Sequence, residues 1–341
     1  MSANSDIIKD ILECTLDDYV TSDRSMQQCL ELAMVAARTD LPVLILGESG
    51  TGKTILARAI HRSSKRACFP FISFNVAALS DTLLESQLFG HEKGAFTSAD
   101  RRVKGKFELA NKGTIFLDEI ADMSKTAQAK ILRVVEYGEF ERLGSEEIHT
   151  TDVRIISATH LPLYEFIESN KFRKDLFYRL SGISITIPPL RERPNDLKAL
   201  VAAEIKRAAW RENKEIKGLR KQAAEILFDH NWPGNLRELN RVIHTAVAMT
   251  DGEFIEPEHI LIDRAKPVFA NNGAPTAESA RQDAMQRVKN LSEDLSLRNA
   301  EIAHIMHVLE LMGGNKRKTA KALGVSRSTL DRKLESIEDR D

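Results

Sequence analysis

A phosphate-binding loop between a short strand and a helix constrains this chain more than any other feature of its sequence. Residues 43–46 are all apolar and predict a buried strand, and residues 55–60 continue with the spacing of a helix. Strand, glycine-rich turn and helix in this order predict a nucleotide site, in preference to an ordinary turn with an exposed lysine. The loop fits the pattern G-x-x-x-x-G-K-[ST] through Gly47, Glu48, Ser49, Gly50, Thr51, Gly52, Lys53 and Thr54.

The residue types in this loop suit a triphosphate with a bound cation. Glycines let backbone N–H groups converge on phosphate oxygens without a Cβ in the way. The helix that follows directs its N-terminal dipole at the same point, and Lys53 is expected to reach the outer phosphates. The Thr54 hydroxyl is an oxygen ligand suited to Mg²⁺.

Four more apolar or alternating runs predict strands after the phosphate loop. They cover residues 71–74, 113–119, 153–159 and 183–187, and helix-like segments lie between them. Strands that alternate with helices predict an α/β fold, in which helices cover both faces of a parallel sheet.

Two carboxylates, Asp118 and Glu119, end the strand predicted at residues 113–119. An acid at the carboxyl end of a parallel strand, beside the phosphate loop, is where Mg²⁺ needs an anionic ligand. A second acid next to it can polarise the attacking water. The alternative is a strand-to-helix turn capped by Asp118, but the phosphate loop favours a Walker-B pair.

Within residues 88–99, the aromatic side chain of Phe96 lies among Gly, Ala, Thr and Ser. Because such small residues form little core, two interpretations stay open: Phe96 is presented to a partner, or it folds back onto the domain. Further along, residues 172–180 carry Arg173 and Arg179, which by themselves indicate a solvated helix face.

No strand pattern is visible from residue 195 to about residue 262. Alanine- and leucine-rich segments at 197–210, 221–230 and 236–249 predict a small helical domain. Trp232, Pro233 and Gly234 interrupt it, and Asn235 is predicted to cap the helix that carries Arg237. Residues 263 to about 276 contain Pro, Gly and Asn and predict a linker.

Two short helices joined by a turn at Gly324 are predicted near the C-terminus, and Ser326 caps the second. This is the pattern of a helix-turn-helix. Between residues 314 and 334 there are seven Lys or Arg against one acid, Asp331, on a chain whose net charge is −1. The local excess favours DNA binding over a solvated three-helix end piece. The predicted DNA contacts are Lys316, Arg317, Lys318, Ser326, Arg327, Ser328, Thr329, Arg332 and Lys333.

Composition limits the remaining function classes. A chain of 341 residues is long enough for two or three domains, and its net charge of −1 creates no global attraction to nucleic acid. Cys14, Cys29 and Cys68 have neither C-x-x-C spacing nor an even count, which fits reduced thiols. No secretory signal and no apolar run of membrane-spanning length occur, so a cytoplasmic protein without a membrane partner is expected.

These motifs together resemble the bacterial enhancer-binding activators of sigma-54 RNA polymerase, which are AAA+ ATPases. The similarity runs from about residue 19 to residue 262, and residues 300–336 resemble a Fis-type helix-turn-helix. In the family a loop with the signature GAFTGA touches the sigma factor, so the resemblance favours the contact interpretation of Phe96. The matching residues here are Gly94, Ala95, Phe96, Thr97, Ser98 and Ala99.

The resemblance also implies roles for residues near the phosphate loop. Asp118 and Glu119 match the Walker-B pair, and Asn75 matches the residue that switches the catalytic glutamate. Thr159 lies at the position called sensor I, and Arg237 at sensor II, which contacts ATP.

Two more matches imply an assembly. Arg173 and Arg179 match the arginine fingers, which reach the ATP of the neighbouring subunit. Fingers that act in trans require a ring, and members of the family work as hexamers built through head-to-tail contacts.

The sequence departs from the family pattern at four positions and at its N-terminus. Thr54 stands where Glu is usual, Ser98 replaces the second glycine of GAFTGA, His160 occupies a position that is commonly Asn, and Asp331 replaces an aromatic residue in the recognition helix. Only about 20 residues precede the ATPase-like part, too few for a regulatory domain with its own core. Control is therefore expected from the expression level, from ring assembly or from a separate regulatory protein; the alternative is that residues 1–20 are themselves a regulatory peptide.

The predicted organisation is a short N-terminal segment at 1–20, an AAA+ α/β ATPase subdomain at 21–194, a helical lid at 195–262, a linker at 263–298 and an all-α helix-turn-helix domain at 299–341. The predicted function is transcription activation: the chain binds enhancer DNA, assembles from a dimer to a hexamer ring, and uses ATP and Mg²⁺ to remodel the closed promoter complex of sigma-54 RNA polymerase. Two other functions stay open, a DNA-binding AAA+ regulator that acts without sigma-54 and an AAA+ remodeller of other proteins.

Overall fold

The computed structural model describes residues 14–77, 80–96 and 99–262, together with Lys316, Thr319, Thr329 and Leu330. The chain divides into two units, residues 1–265 and residues 266–341, and each is described by itself. Within the described ranges, none of the helices is both long and apolar enough to cross a membrane.

The first unit is built on a sheet of five parallel strands, as the sequence predicts. The strands are β1 (Val43–Leu46), β2 (Phe71–Asn75), β3 (Thr114–Asp118), β4 (Arg154–Thr159) and β5 (Ile183–Thr186). Their order across the sheet is β2-β3-β4-β1-β5, so the strand that enters the phosphate loop is flanked by β4 and β5.

Alternating apolar side chains bury both faces of this sheet. On β1, Val43 and Ile45 point into one core and Leu44 into the other, and all three are almost completely buried. On β3, Phe116 lies in the first of these cores, whereas Ile115 and Leu117 lie in the second. Near-continuous apolar strands of this kind are expected where helices cover both faces.

Helices of the first unit lie against both faces of the sheet, with α1 and α2 on one side and α3, α5 and α7 on the other. Their bounds are α1 Arg24–Ala37, α2 Lys53–Arg62, α3 Asp81–Phe89, α4 Lys106–Leu109, α5 Lys125–Tyr137, α6 Leu163–Glu168, α7 Lys174–Leu180, α8 Pro194–Arg211, α9 Lys221–Phe228 and α10 Asn235–Met249. Single 3₁₀ turns occur at Leu16–Asp18, Ile120–Asp122, Leu190–Glu192 and Pro257–His259.

The lid has its own apolar core around the fully buried Trp232. Its three helices α8, α9 and α10 agree with the predicted segments, but two expectations are wrong. A short parallel strand pair joins Gly218–Leu219 to Phe254–Ile255, and strands of this length carry no readable periodicity. Asn235 is not a side-chain cap, because its side-chain oxygen accepts from the Leu190 N–H at 2.7 Å and Gly234 occupies the cap position.

Strand register brings the polar strand ends to one edge of the sheet. Leu46, the last residue of β1, pairs with Thr159 of β4, and Asn75 of β2 pairs with Asp118 of β3. Because all five strands run in the same direction, the phosphate loop, the two carboxylates and the end of β4 emerge together.

Candidate nucleotide-hydrolysis site

Two glycines give the phosphate loop its shape. Gly50 and Gly52 have φ of +80° and +100°, a left-handed conformation that side chains rarely adopt. A Cβ on Gly50 would lie 2.3 Å from the Gly234 carbonyl oxygen, so the loop and the lid approach each other through backbone alone. The loop conformation and the lid contact both require glycine at this position.

Lys53 begins α2 and is folded into the loop, with only 6% of its surface exposed. Its Nζ donates to the carbonyl oxygens of Gly47 at 2.9 Å and Glu48 at 3.3 Å, and lies 4.0 Å from Glu119 Oε1. Burial lowers the pKa of Lys53, and the nearby carboxylates of Glu119 and Asp118 oppose that shift. The ammonium group is therefore held between the loop and the predicted Walker-B pair.

The two neighbouring carboxylates form an electronegative pair at the end of β3. Burial, followed by repulsion from Glu119, raises the pKa of Asp118, and Lys53 opposes the shift. A divalent cation would relieve this repulsion, and carboxylate and hydroxyl oxygens are the ligands that Mg²⁺ prefers. Thr54 adds an exposed hydroxyl in the first turn of α2. The donor set of Asp118 and Thr54 thus fits magnesium.

Glu119 is held from the opposite side by His160, which follows directly after β4. Its Oε2 lies 2.7 Å from His160 Nδ1 and accepts from the His160 backbone N–H at 3.3 Å. The backbone of Glu119 has φ +56°, which is uncommon for a residue with a side chain. Sequence reasoning noted His160 only as a departure from the family pattern, without assigning it this contact.

Asn75 and Thr159 lie at the same edge, and each binds a nearby backbone N–H. The Asn75 side-chain oxygen accepts from the Ala77 N–H at 2.9 Å, and the Thr159 hydroxyl accepts from the Leu161 N–H at 3.0 Å. Thr159 is completely buried. The structure brings both residues to the site, and their roles as glutamate switch and sensor I stay predictions.

The lid binds the phosphate loop through the first residues of α10. Asn235 Nδ2 donates to the Ser49 carbonyl at 3.0 Å and to Glu48 Oε2 at 3.2 Å, and the Leu236 N–H donates to the Gly50 carbonyl at 3.0 Å. Arg237 Nη1 donates to Ser49 Oγ at 2.9 Å. The predicted sensor II arginine is therefore at the loop, next to the predicted phosphate position.

Arg191 is a site residue that sequence reasoning missed. Its guanidinium donates to both oxygens of Glu48, at 2.6 and 2.8 Å, from the 3₁₀ turn that leads into the lid. These bonds are the main cause that lowers the pKa of Glu48. No motif signals this pair, because the two residues are far apart in sequence and Arg191 by itself is typical of an exposed surface charge.

The two predicted finger arginines lie at the start and in the last turn of α7. Arg173 donates to both oxygens of Asp175, at 3.0 and 2.6 Å, and Arg179 Nε donates to Glu136 at 2.8 Å. Both side chains are well exposed, at 42% and 61%. Within the described residues, no hydrogen bond or ion pair joins either arginine to the phosphate loop of the same chain.

In the predicted sigma-54 contact loop, residues 94–96 fold back onto the domain. The Phe96 ring packs edge-to-face on His91, with 5.0 Å between ring centroids, and the side chain is partly buried. Turn hydrogen bonds run from Gly94 N–H to the Ala99 carbonyl and from Ala99 N–H to the Phe96 carbonyl, both 2.9 Å. Ala95 lies against Gly144. Thr97 and Ser98, at the tip of the signature, lie outside the described residues.

A buried arginine anchors the base of this loop. Arg142 is 3% exposed and donates to both oxygens of Glu108, at 3.0 and 2.7 Å, and to Glu92 at 2.8 Å. Arg142 follows the strand Glu139–Glu141, and Glu92 follows the strand Gly90–His91. The loop that carries Phe96 is therefore fixed to its neighbouring hairpin by charge-assisted hydrogen bonds.

In the second unit the structure describes two of the predicted DNA contacts. Lys316 is an exposed helical residue and Thr329 is helical and partly buried, while Thr319 and Leu330 are completely buried. The remaining predicted contacts, Arg317, Lys318, Ser326, Arg327, Ser328, Arg332 and Lys333, lie outside the described residues.

Comparison with known proteins assigns these parts to three families. Residues 19–186 match the sigma-54 interaction domain, residues 191–268 an AAA+ ATPase lid domain, and residues 296–336 the Fis family of bacterial regulatory proteins. The transcriptional regulatory protein ZraR of Klebsiella oxytoca is 42% identical over 311 residues, which are 91% of this chain and 67% of that protein. The chain belongs to the sigma-54-dependent transcriptional activators.

Other activator-like proteins agree along nearly the whole chain. The transcriptional regulatory protein FlbD of Caulobacter vibrioides is 38% identical over 339 residues, or 98% of this chain and 74% of that protein. The crystal structure of NtrX from Brucella abortus in complex with ATP matches with a TM-score of 0.67 and 31% identity, covering 98% of this chain and 72% of that one. This activator is an ATPase of the AAA+ class that acts in sigma-54-dependent transcription and carries a Fis-type helix-turn-helix for DNA.

Proposed function

We propose that this sigma-54 activator hydrolyses ATP at the interface between subunits of a ring and transmits the cycle to sigma-54 through the loop that carries Phe96. The observation that carries the proposal is the position of Glu119, with Oε1 4.0 Å from the phosphate-loop lysine and Oε2 bound by His160. A carboxylate fixed beside a phosphate-binding ammonium group is suited to take a proton from water.

Each residue of the site has a separate task in this proposal. The loop from Gly47 to Thr54 cradles the phosphates, and Lys53 balances their charge. Arg237, which already lies on Ser49, binds the nucleotide from the lid side. Mg²⁺, held by Thr54 and Asp118, would neutralise charge on the phosphates. Glu119 orients and deprotonates the attacking water.

The two exposed arginines of α7 complete the site in trans. Arg173 and Arg179 are exposed and, among the described residues, form ion pairs with the nearby acids Asp175 and Glu136. We infer that they are available to reach the ATP of an adjacent copy. A head-to-tail contact repeated around a closed ring gives every subunit one such pair, and six subunits are the expected number. Dimers are the expected smaller state.

Contact with the polymerase is assigned to the loop of residues 94–99. Phe96 rests on His91 in a T-shaped contact, which is weak enough to be exchanged for a contact with sigma-54. Upstream DNA is bound by the helix-turn-helix, through Arg327, Ser328 and Arg332 in the major groove and Lys316 and Arg317 near phosphates. These partners place its action in the cytoplasm.

One assay with purified components tests the proposal. The full chain, sigma-54 holoenzyme and a promoter carrying an upstream site are mixed with ATP, and open complexes are counted by permanganate footprinting. Open complexes that require ATP and sigma-54 support the proposal, and a holoenzyme with the main sigma factor is the matched control. Hydrolysis without promoter opening would instead support a regulator, or a remodeller, that does not engage sigma-54.

A further inference from the structure

An open apolar groove with a volume of about 840 Å³, called the lid groove below, lies along α8. Val201, Ile205 and Ala209 of α8 form its floor and belong to the lid core. Trp210 and Phe228 line it as well, and their side chains are 48% and 37% exposed. Exposed aromatic side chains beside a continuous apolar surface are typical of a site that binds another stretch of polypeptide.

The lid groove is also basic. Of the described residues that line it, four are lysines and one, Glu215, is an acid. Lys214 Nζ donates to three carbonyl oxygens around the end of α10, and Lys217 pairs with an acid of the lid at 2.7 Å. Lys198 and Lys206 are exposed and form no ion pair with any described residue. Two positive charges are thus left for an acidic ligand.

The N-terminal segment of this chain, residues 1–13, has the complementary chemistry. It lies outside the described residues. Its apolar and charged residues alternate in the order Asp6, Ile7, Ile8, Lys9, Asp10, Ile11, Leu12 and Glu13. Three acids against one lysine complement the two unpaired lysines of the lid groove, and the branched apolar side chains suit its floor.

The first described residues lie within reach of the lid groove. The Thr21 hydroxyl donates to both oxygens of Asp196, at 3.0 and 2.8 Å, in the first turn of α8. Because an extended chain covers about 3.5 Å per residue, Cys14 lies within about 25 Å of Thr21, and the residues before it span up to about 45 Å. The groove follows α8 from Lys198 to Trp210, about 18 Å. The segment is therefore long enough to cross to the groove and lie along it.

We propose that residues 1–13 bind in the lid groove, with their isoleucine and leucine side chains on the apolar floor and their acids beside Lys198 and Lys206. The segment then covers Trp210. Binding at this place ties the N-terminus of the chain to the subdomain that carries Arg237, and a protein that captured the segment would uncover the groove. It depends neither on ATP hydrolysis nor on sigma-54, so it stands apart from the proposed function.

Fluorescence quenching by acrylamide tests whether the segment covers the groove in the full chain. The chain has two tryptophans, and Trp232 is completely buried, so quenching reports on Trp210. Deletion of residues 1–13 should remove the protection of Trp210, and so should Ile8→Ser/Ile11→Ser in the full chain. Ser5→Ala, which changes neither an apolar nor an acidic residue of the segment, is the control and should be quenched like the wild type.

A fluorescein-labelled peptide of residues 1–13, added to the chain that lacks them, measures the affinity by anisotropy. Trp210→Ala should weaken peptide binding about ten-fold, because a central aromatic contact is lost. Lys198→Glu/Lys206→Glu should weaken it about five-fold. A peptide with Asp6→Lys/Asp10→Lys should bind this charge-reversed lid more tightly than the natural peptide does.

Two controls accompany the affinity measurements. Lys125→Glu reverses an exposed lysine at the start of α5, outside the lid, and should leave the affinity unchanged. Circular dichroism melts show whether each substituted chain is folded.

Three results would each overturn the inference. Equal quenching of the full and the shortened chain would mean that the groove is open or is covered by something else, such as a second copy. Equal affinity of the peptide for Trp210→Ala and the unchanged lid would place the segment elsewhere. A charge-reversed peptide that gains nothing on the charge-reversed lid would show that Lys198 and Lys206 do not select the segment.

Discussion

The Glu48 carboxylate in the phosphate loop and the Arg191 guanidinium at the entrance to the lid form two hydrogen bonds, of 2.6 and 2.8 Å, although 143 residues separate them. The pair is partly exposed, so its direct contribution to folding is small, about 1 kcal/mol or less. Its position suggests a larger effect on the ligand. Glu48 would otherwise place an uncompensated negative charge beside a triphosphate.

Arg191→Ala should therefore weaken ATP binding more than it weakens the fold. We expect the dissociation constant for ATP to rise about five-fold, which corresponds to about 1 kcal/mol, with little change in melting temperature. Isothermal titration measures the first quantity. Arg220→Ala, which removes an exposed ion pair with Glu256 in the lid, is the control and should leave ATP binding unchanged.

The double variant Glu48→Ala/Arg191→Ala tests the electrostatic reason. Removing the carboxylate as well as the arginine should restore part of the lost affinity. If the double variant binds ATP as poorly as Arg191→Ala alone, the arginine acts through the shape of the lid entrance and not through charge.

Arg173→Ala should bind ATP but fail to hydrolyse it, because in the proposed ring this arginine completes the site of the neighbouring subunit. Lys53→Ala should lose ATP binding in its own site. Mixed under assembling conditions, the two variants should regain turnover, since an interface with the loop of one and the arginine of the other is complete. Lys53→Ala mixed with Glu119→Gln is the control: both defects lie on the same side of every interface, so no activity should return. A mixture of the first pair that stays inactive would remove the support for action in trans.

Phe96→Ala should separate hydrolysis from promoter opening. The aromatic ring contacts His91 and lies outside the phosphate site, so ATPase activity should be largely kept while open-complex formation is lost. Phe69→Ala, which shortens an exposed aromatic side chain elsewhere in the same unit, should keep both activities. A parallel loss of both activities in Phe96→Ala would mean that the ring serves the structure of the loop.

Lys316→Ala should weaken DNA binding equally for all sequences. Lys316 is an exposed helical residue in the basic segment, and a lost phosphate contact lowers the slope of log K against log salt by about one. Fluorescence anisotropy on two operators at several salt concentrations measures both quantities. Lys221→Ala, a highly exposed lysine of the lid, should not change the slope. A change in operator preference at constant slope would mean that Lys316 reads bases.

Acid should destabilise the ATPase unit through His61. Its ring is buried, its Nδ1 lies 2.9 Å from the Thr114 hydroxyl, and burial, helped by the positive charges of nearby arginines, lowers its pKa to about 4. In the unfolded chain the pKa is about 6.5. Above pH 6.5 both states are neutral and the full stability is present. As the pH falls from 6.5 towards 4, only the unfolded chain takes up a proton, and stability is lost.

By pH 5 this single group should remove about 2 kcal/mol of unfolding free energy. Urea unfolding at pH 7.5 and pH 5.0 measures the loss, and His61→Gln, which cannot titrate, should lose about 2 kcal/mol less over the same interval. Identical losses in the two proteins would show that the pKa of His61 is the same in the folded and the unfolded chain.

Local patterns in the sequence were sufficient for the architecture. The apolar run of β1 and the glycine spacing after it predict strand, loop and helix, because periodicity and φ requirements are properties of neighbouring residues. The carboxylates that end β3 were predictable for the same reason. The pairing of Gly218–Leu219 with Phe254–Ile255 was not, since two residues are too short to show a period.

Contacts between distant side chains were beyond prediction. The pairs of Arg191 with Glu48, His160 with Glu119, and Arg142 with its two glutamates each join residues that no single motif connects. Only the register of the sheet and the docking of the lid bring such pairs together. Asn235 shows the same limit: its residue type indicates a helix cap, yet tertiary packing uses it to join the lid to the loop.

The close approach of Gly50 to the Gly234 carbonyl limits which substitutions can change the coupling between the phosphate loop and the lid. A Cβ at Gly50 would meet that oxygen at 2.3 Å, so even alanine would force the loop and the lid apart. A displacement of the loop during the ATP cycle is therefore passed directly to the start of α10, with no side chain between them to absorb it. Substitutions that adjust the coupling between loop and lid are therefore expected at neighbouring residues such as Arg191 and Asn235. Position 50 itself has no room for a side chain larger than the hydrogen of glycine.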